Sequence, residues 1–305
     1  MKSTEAVAQD SLPIKAYFSW NILKAIIKDG IVKSNLLGMF AGLSVALSIN
    51  NVSFVDNILV VLLALAGTAL VVGGVGAINN YYDRDIDAIM KRTMERPTVT
   101  GAVNPKFALW LGIVLSILGL VCLFFISSLT AFVGLLGSFL YLFPYTMWTK
   151  RKTIYNTEVG SFSGAIAPLI GWVAISPEII HPVSIGLFVL MFLWQPPHFY
   201  AIAIRRLDDY RNAGVPMLPV VKGTHRTKVQ TIVYLVMLSA SSFLFLPFSK
   251  VVVFTMLGLT LAWMVIGIIG FRKMEDYKWA TMMFVFSLNH LTILFSLLIL
   301  VSFIE

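Results

Sequence analysis

The sequence predicts an all-α, polytopic membrane protein with nine transmembrane helices, and three observations carry that expectation. Mean hydropathy is +0.86, with 58% apolar and only 12% charged residues, a composition typical of chains that live in lipid. Apolar runs near the ~20 residues needed to cross a bilayer recur at 34–50, 57–79, 105–126, 129–148, 156–176, 182–203, 228–247, 250–271 and 279–303. The basic residues fall in short segments between these runs, so the net charge of +8 follows the positive-inside rule and calls for no nucleic-acid partner.

Taken in order, residues 1–33 form an N-terminal cytoplasmic segment. It has no apolar core of signal-peptide length, and Glu5 and Asp10 argue against a transit peptide. Within it, Ile14 to Val32 mixes Tyr17, Phe18, Trp20, Ile22 and Ile26 with Lys24 and Lys28 at helical spacing, which predicts an interfacial helix. The first two spans carry small residues (Gly38, Gly42; Gly73, Gly74, Gly76) of the kind that let membrane helices approach closely. Pro196-Pro197 is expected to kink or interrupt the sixth span. With the N-terminus inside, nine spans leave only Lys250 on the outside. That places the C-terminus out and assigns residues 34–303 to one intramembrane domain. The two long cytoplasmic loops, 80–104 and 204–227, both hold acids, arginines and a Gly/Pro-containing exit, as two duplicated halves would. One cysteine, Cys122, and four scattered histidines exclude an internal disulfide and point away from a Cys or multi-His metal centre.

The chemistry is concentrated in the loops. Asn79, Asp83 and Asp87 recur every four residues, which on a helix stacks an amide and two carboxylates on one face. Oxygen-only donors suit Mg²⁺, and Lys91, Arg92 and Arg96 just behind suggest that the metal carries a diphosphate. Asp85 points to another face and is a better partner for an arginine. In the second loop, His198 follows the double proline, and Asp208 and Asp209 either bind a second Mg²⁺ or balance Arg205, Arg206 and Arg211. A third stretch holds Lys150, Arg151 and Lys152, which topology alone explains, and then Asn156, Glu158 and Ser161 entering a span.

Asn79-x₃-Asp83-x₃-Asp87 resembles the first aspartate motif of the UbiA-type intramembrane prenyltransferases. The strings NNYYDRDIDAIMKRTMERP, TKRKTIYNTEVGSFSGAIAPLIGW and WQPPHFYAIAIRRLDDYRNAGVPMLPVV together resemble its haem-farnesylating branch, over about 34–303. One departure matters. Asp208 is followed four residues later by Asn212 and Asp209 by Ala213, where many members carry a second pair of acids. That puts a second Mg²⁺ in doubt and shifts part of the load to Arg206, Arg211 or Lys150.

The resemblance implies nine helices around a central cavity open to the cytoplasmic side, in a bacterial plasma (inner) membrane. It also implies transfer of a farnesyl group from farnesyl diphosphate to a vinyl group of haem b, with addition of water, in haem biosynthesis for respiratory oxidases. On that reading Asn79, Asp83 and Asp87 hold the Mg²⁺ diphosphate, with Lys91, Arg92, Arg96, Lys150 and Arg151 around it. His198, Asn156, Arg206, Arg211 and Tyr82 belong to the acceptor pocket, where His198 either ligates iron, meets a propionate or shapes the wall. Tyr81, Tyr82 or Phe199 would stabilise the allylic cation. A haem A synthase or terminal-oxidase assembly proteins are the implied protein partners. Competing readings are a prenyltransferase with an aromatic acceptor, a secondary transporter, and a haem-carrying electron-transfer subunit, which His198 and His290 at opposite faces disfavour.

Overall fold

The computed structural model describes residues 19–304, and every regular element among them is helical. The part of the expected interfacial helix before Ser19 lies outside the described residues. Its remainder is α1 (Trp20–Ile27), which stops at Lys28, a non-glycine residue in left-handed conformation at φ 57°. There the chain turns directly into α2 (Asp29–Ile49), so the first span starts five residues earlier than the apolar run suggests. Then follow α3 (Ile58–Tyr82), the short α4 (Arg84–Asp87) and α5 (Pro97–Thr100), and α6 (Pro105–Phe124). The helix α7 (Ser128–Leu140) runs on into a π-helical stretch, Tyr141–Thr149, which contains Pro144.

Among the described residues, eight helices are long and apolar enough to cross a membrane. The fifth expected span, 156–176, is instead two short helices, α8 (Asn156–Gly164) and α9 (Ile166–Val173), hinged at Ala165. Pro168 explains the break, because it has no N–H for the Gly164 carbonyl and its ring crowds that position. By contrast α10 (Pro182–Arg205) continues through Pro196-Pro197, against the expected interruption. The Gln195 side chain donates to the Met191 and Ser161 carbonyls, at 3.0 and 3.1 Å, beside the backbone groups that the prolines leave unpaired. The chain ends with α11 (Leu207–Asn212), α12 (Leu218–Ser241, broken at Gly223), α13 (Lys250–Lys273) and α14 (Asp276–Ser302).

In lipid, apolar burial alone does not drive helices together, so close backbone packing must. At Gly171 a Cβ would lie 1.9 Å from the Met39 carbonyl oxygen, and at Gly42 2.1 Å from that of Pro168, so α2 and α9 touch main chain to main chain. Above that contact Met39, Leu43, Trp172 and Phe295 are fully buried and tie the two halves into one core.

Three loops meet at one end of the bundle. Ile86 packs with Ala203, Val215 and Met217, Arg151 reaches back to Asp85, and the Asn156 amide donates to the Pro216 carbonyl at 3.3 Å.

Candidate active site

The predicted stripe survives a break in its helix. α3 ends at Tyr82, yet the Asp83 N–H still donates to the Asn79 carbonyl and the Asp87 N–H to that of Asp83, both at 2.9 Å. The repeat of four is therefore kept across the turn into α4. Asp83 is 0% and Asp87 3% exposed, and bare carboxylates at such depth would carry a large desolvation cost.

Cations meet that cost. Lys150 pairs with Asp83 Oδ2, and Arg151 approaches Oδ1 at 3.4 Å. Arg96 pairs with Asp87, while Arg151 also grips Asp85 through two bonds of 2.6 and 2.7 Å. The Arg151 hydrogen bond holds the Asp85 carboxyl below its ordinary value, and the same bond raises the guanidinium. Three carboxylates thus face three cations.

Lys28, which sequence reading left in the interfacial helix, joins this cluster: its side-chain nitrogen donates to the Asn79 amide oxygen. Burial, and then the positive charges of Arg96 and Lys150, push Lys28 well below the ordinary lysine value. The left-handed elbow between α1 and α2 delivers it there, and a non-glycine residue held in that region is strained. The Asn79 amide nitrogen donates to Asp83 at 2.7 Å and to Thr146 at 3.2 Å.

Thr146 comes from the π-helical stretch, which also presents Tyr141 and Tyr145 with ring centroids 5.4 Å apart. Tyr145 lies 5.9 Å under the Lys150 ammonium. A π turn re-aims side chains, and such turns recur at functional sites. Pro144 inside an apolar run was the available sequence signal.

The other expected residues divide. Arg92 lies beside Tyr210 on α11, whose phenol is raised by burial despite that positive charge; Lys91 is exposed. Tyr82 stacks under Arg151 at 5.2 Å, beside the Asp83 and Asp85 cluster and not near His198. Asn156 is buried and hydrogen-bonded to backbone on both sides of the loop junction. Arg206 and Arg211 are exposed, and Arg211 pairs with Asp208 at 2.7 Å. Asp209 is buried, and its Oδ2 has no partner. His198 sits between α10 and α14, its Nδ1 2.7 Å from Ser287 Oγ and its ring 4.6 Å from that of Trp194. Phe199 is partly exposed.

No group of three or more His, Cys, Asp or Glu residues forms a self-sufficient metal cage among the described residues. Mg²⁺ does not require one, since it commonly takes one or two carboxylates and completes its shell with phosphate and water. Asp83 and Asp87, all-oxygen donors one turn apart, fit that use.

The sequence profile of the UbiA prenyltransferase family matches residues 36–300. The chain is 58% identical to protoheme IX farnesyltransferase of Shouchella clausii over 91% of its length and 89% of the relative's. It is 54% identical to protoheme IX farnesyltransferase 1 of Bacillus cytotoxicus, over 93% of each chain. Its fold resembles a UbiA homolog from Archaeoglobus fulgidus, with TM-score 0.72 and 17% identity, covering 92% of this chain and 98% of that one. The same homolog bound to GPP and Mg²⁺ matches with TM-score 0.69 and 16% identity, over 91% and 99%.

Proposed function

We infer the reaction from one premise: the chain belongs to the UbiA prenyltransferase family. With relatives at 48–58% identity named protoheme IX farnesyltransferase, the reaction is transfer of the farnesyl group of farnesyl diphosphate to a vinyl group of protohaem IX. The observation that carries the site assignment is the buried set of Asp83 and Asp87 ringed by Lys150, Arg151, Arg96 and Lys28.

The C1–O bond of farnesyl diphosphate breaks and its electron pair leaves with the diphosphate. Positive groups already in place stabilise that charge without reorganising. Lys150, Arg151 and Arg96 exchange part of their hold on the carboxylates for the phosphate oxygens, and Lys28 adds its own donor. Mg²⁺, held by Asp83 and Asp87 with Asn79 beside them, would supply Lewis-acid charge at the same oxygens. The terminal vinyl carbon of haem b attacks C1 and forms the new C–C bond. The cation left on the porphyrin side takes up water, and loss of a proton gives the hydroxyethylfarnesyl chain. Tyr141 and Tyr145 offer aromatic faces to the allylic cation beside the leaving group.

The finer topology follows from the same frame. The loops at 79–96, 149–156 and 204–217 share one end. With α10 a full span, the hinged pair α8 and α9 must cross as well. That makes nine crossings, with the site opening toward the cytoplasm, the N-terminus inside and the C-terminus outside. The acceptor lies toward His198.

Membranes carrying the protein, given farnesyl diphosphate, Mg²⁺ and haem b, should yield a pigment heavier than haem b by a farnesyl group plus a hydroxyl, read by mass. If no farnesylated haem forms while an aromatic acid acceptor is prenylated, the reading fails.

A further inference from the structure

His198 has a fixed tautomer. The Ser287 hydroxyl spends its only proton on the Phe284 carbonyl at 2.6 Å, so its 2.7 Å contact with His198 Nδ1 must be accepted by Ser287 and donated by the imidazole. The proton therefore resides on Nδ1, and Nε2 carries the lone pair. Nε2 has no hydrogen bond and is not among the buried unpartnered atoms, so its lone pair opens onto accessible space. The ring is also clamped. Trp194 stacks on it at 4.6 Å and is itself held by its indole N–H on the Ser287 carbonyl at 3.0 Å, while Phe284 lies 5.1 Å away.

Seven residues along α10, on the same face and ~10.5 Å farther toward the loop end, stands Arg205. Its guanidinium lies 4.7 Å from the centre of the same Phe284 ring. It makes no ion pair among the described residues, and its Nε is buried without a partner. Asp209, four residues on, does not reach it. An unpaired guanidinium and a free imidazole lone pair thus share one aromatic flank. A rigid ligand with a Lewis-acid centre and a carboxylate at its edge satisfies both at once, and haem has that form. Thr260 spends its hydroxyl proton on the Met256 carbonyl, so the His290 Nε2–H must donate to it. The His290 lone pair then lies on Nδ1, which is fully buried, so His290 presents no open nitrogen for a second axial bond.

Resting on the haem-acceptor reading above, we propose that His198 Nε2 is the single axial ligand to the iron of the acceptor haem, that Ser287 is the positioning residue that keeps this nitrogen free, and that Arg205 binds a propionate. The propionate edge is then held near Arg205 and the vinyl-bearing edge lies across the ring from it.

The full chain in detergent is titrated with ferric haem b and followed by optical and electron-spin spectra, with farnesyl transfer measured separately. His198→Gln should lose the imidazole-ligated spectrum and regain it when free imidazole is added. Ser287→Ala should weaken the same signal without moving the KM for farnesyl diphosphate. Arg205→Gln should raise the KM for haem b roughly tenfold, the worth of one charge-assisted hydrogen bond. Haem b dimethyl ester should carry that penalty in the wild type and no further penalty in Arg205→Gln. Metal-free protoporphyrin should bind wild type and His198→Gln alike. An unchanged spectrum in His198→Gln, or an ester penalty equal in Arg205→Gln and wild type, overturns the assignment. Because the wild-type product is scored independently, failure to farnesylate haem sinks the function, whereas these spectra judge only the ligands.

Discussion

The two acidic loops at one end of the bundle use the same residue types and differ in how their acids are held. In the first, Asp83 and Asp87 are buried and each is held by a lysine or arginine distant in sequence. In the second, the Asp208 side chain is 84% exposed and pairs only with Arg211, three residues on in the same short helix. An exposed pair of that kind is worth about 0–1 kcal/mol, whereas breaking a buried one costs roughly 3–5 kcal/mol because it strands a charge. The difference teaches that acidic spacing alone does not make a buried, cation-held cluster. What makes one is convergence of cations from other elements on acids that water cannot solvate. The second loop packs on the first, through Val215 and Met217 on Ile86 and Tyr210 beside Arg92.

Four substitutions or conditions test that contrast, in falling order of effect. Asp83→Asn, which keeps the shape and removes the charge, should lower farnesyl transfer about a thousandfold, at the upper end for loss of one transition-state contact. Activity within tenfold of wild type would erase the distinction between the loops. Lys150→Ala should lower kcat about a hundredfold and destabilise the protein by ~3 kcal/mol through the stranded Asp83. Lys150→Arg should recover the stability, read as the thermal midpoint in detergent. Asp208→Asn should change activity less than twofold and stability by under ~0.5 kcal/mol, and a loss comparable to that of Asp83→Asn would show that the second loop does bind metal. The smallest effect concerns acid. The Asp85 carboxyl is lowered from its ordinary 3.8, first by Arg151, so its folded value lies below its unfolded one. Its stabilisation is present above pH 3.8 and is lost as pH falls through the lower folded value. Thermal midpoints of wild type and Asp85→Asn should therefore differ by a constant amount across pH 5 to 8.

Much of this site is legible in the sequence because its spacing is local. The four-residue repeat of Asn79, Asp83 and Asp87 outlives the end of α3, since the helical hydrogen bonds run on across it. Arg96, Lys150 and Arg151 are readable as basic residues that flank spans, although topology explains them just as well. Lys28 was not legible. It looks like one lysine among several on an amphipathic segment, and only the left-handed elbow at φ 57° carries it 51 residues in sequence away to Asn79. Nor were Tyr141, Tyr145 and Thr146, because Pro144 marks a disturbance in the apolar run but does not say that the turns around it are π rather than α. Of the fold, eight spans follow from hydropathy alone. The hinged pair α8 and α9 escaped because hydropathy counts Pro168 as one more neutral residue, while the backbone counts it as a missing donor. The double proline misled in the opposite direction, since Gln195 and neighbouring helices hold α10 together.

The central claim is that the buried, cation-ringed carboxylates Asp83 and Asp87 of the first loop, and not the exposed Asp208 of the second, perform the ionisation of farnesyl diphosphate. The most direct test measures farnesylated haem made by Asp83→Asn and Asp208→Asn side by side, at equal protein and saturating Mg²⁺. Product near wild-type level from Asp208→Asn and almost none from Asp83→Asn is the expected result; equal loss in both, or substantial product from Asp83→Asn, would contradict the account.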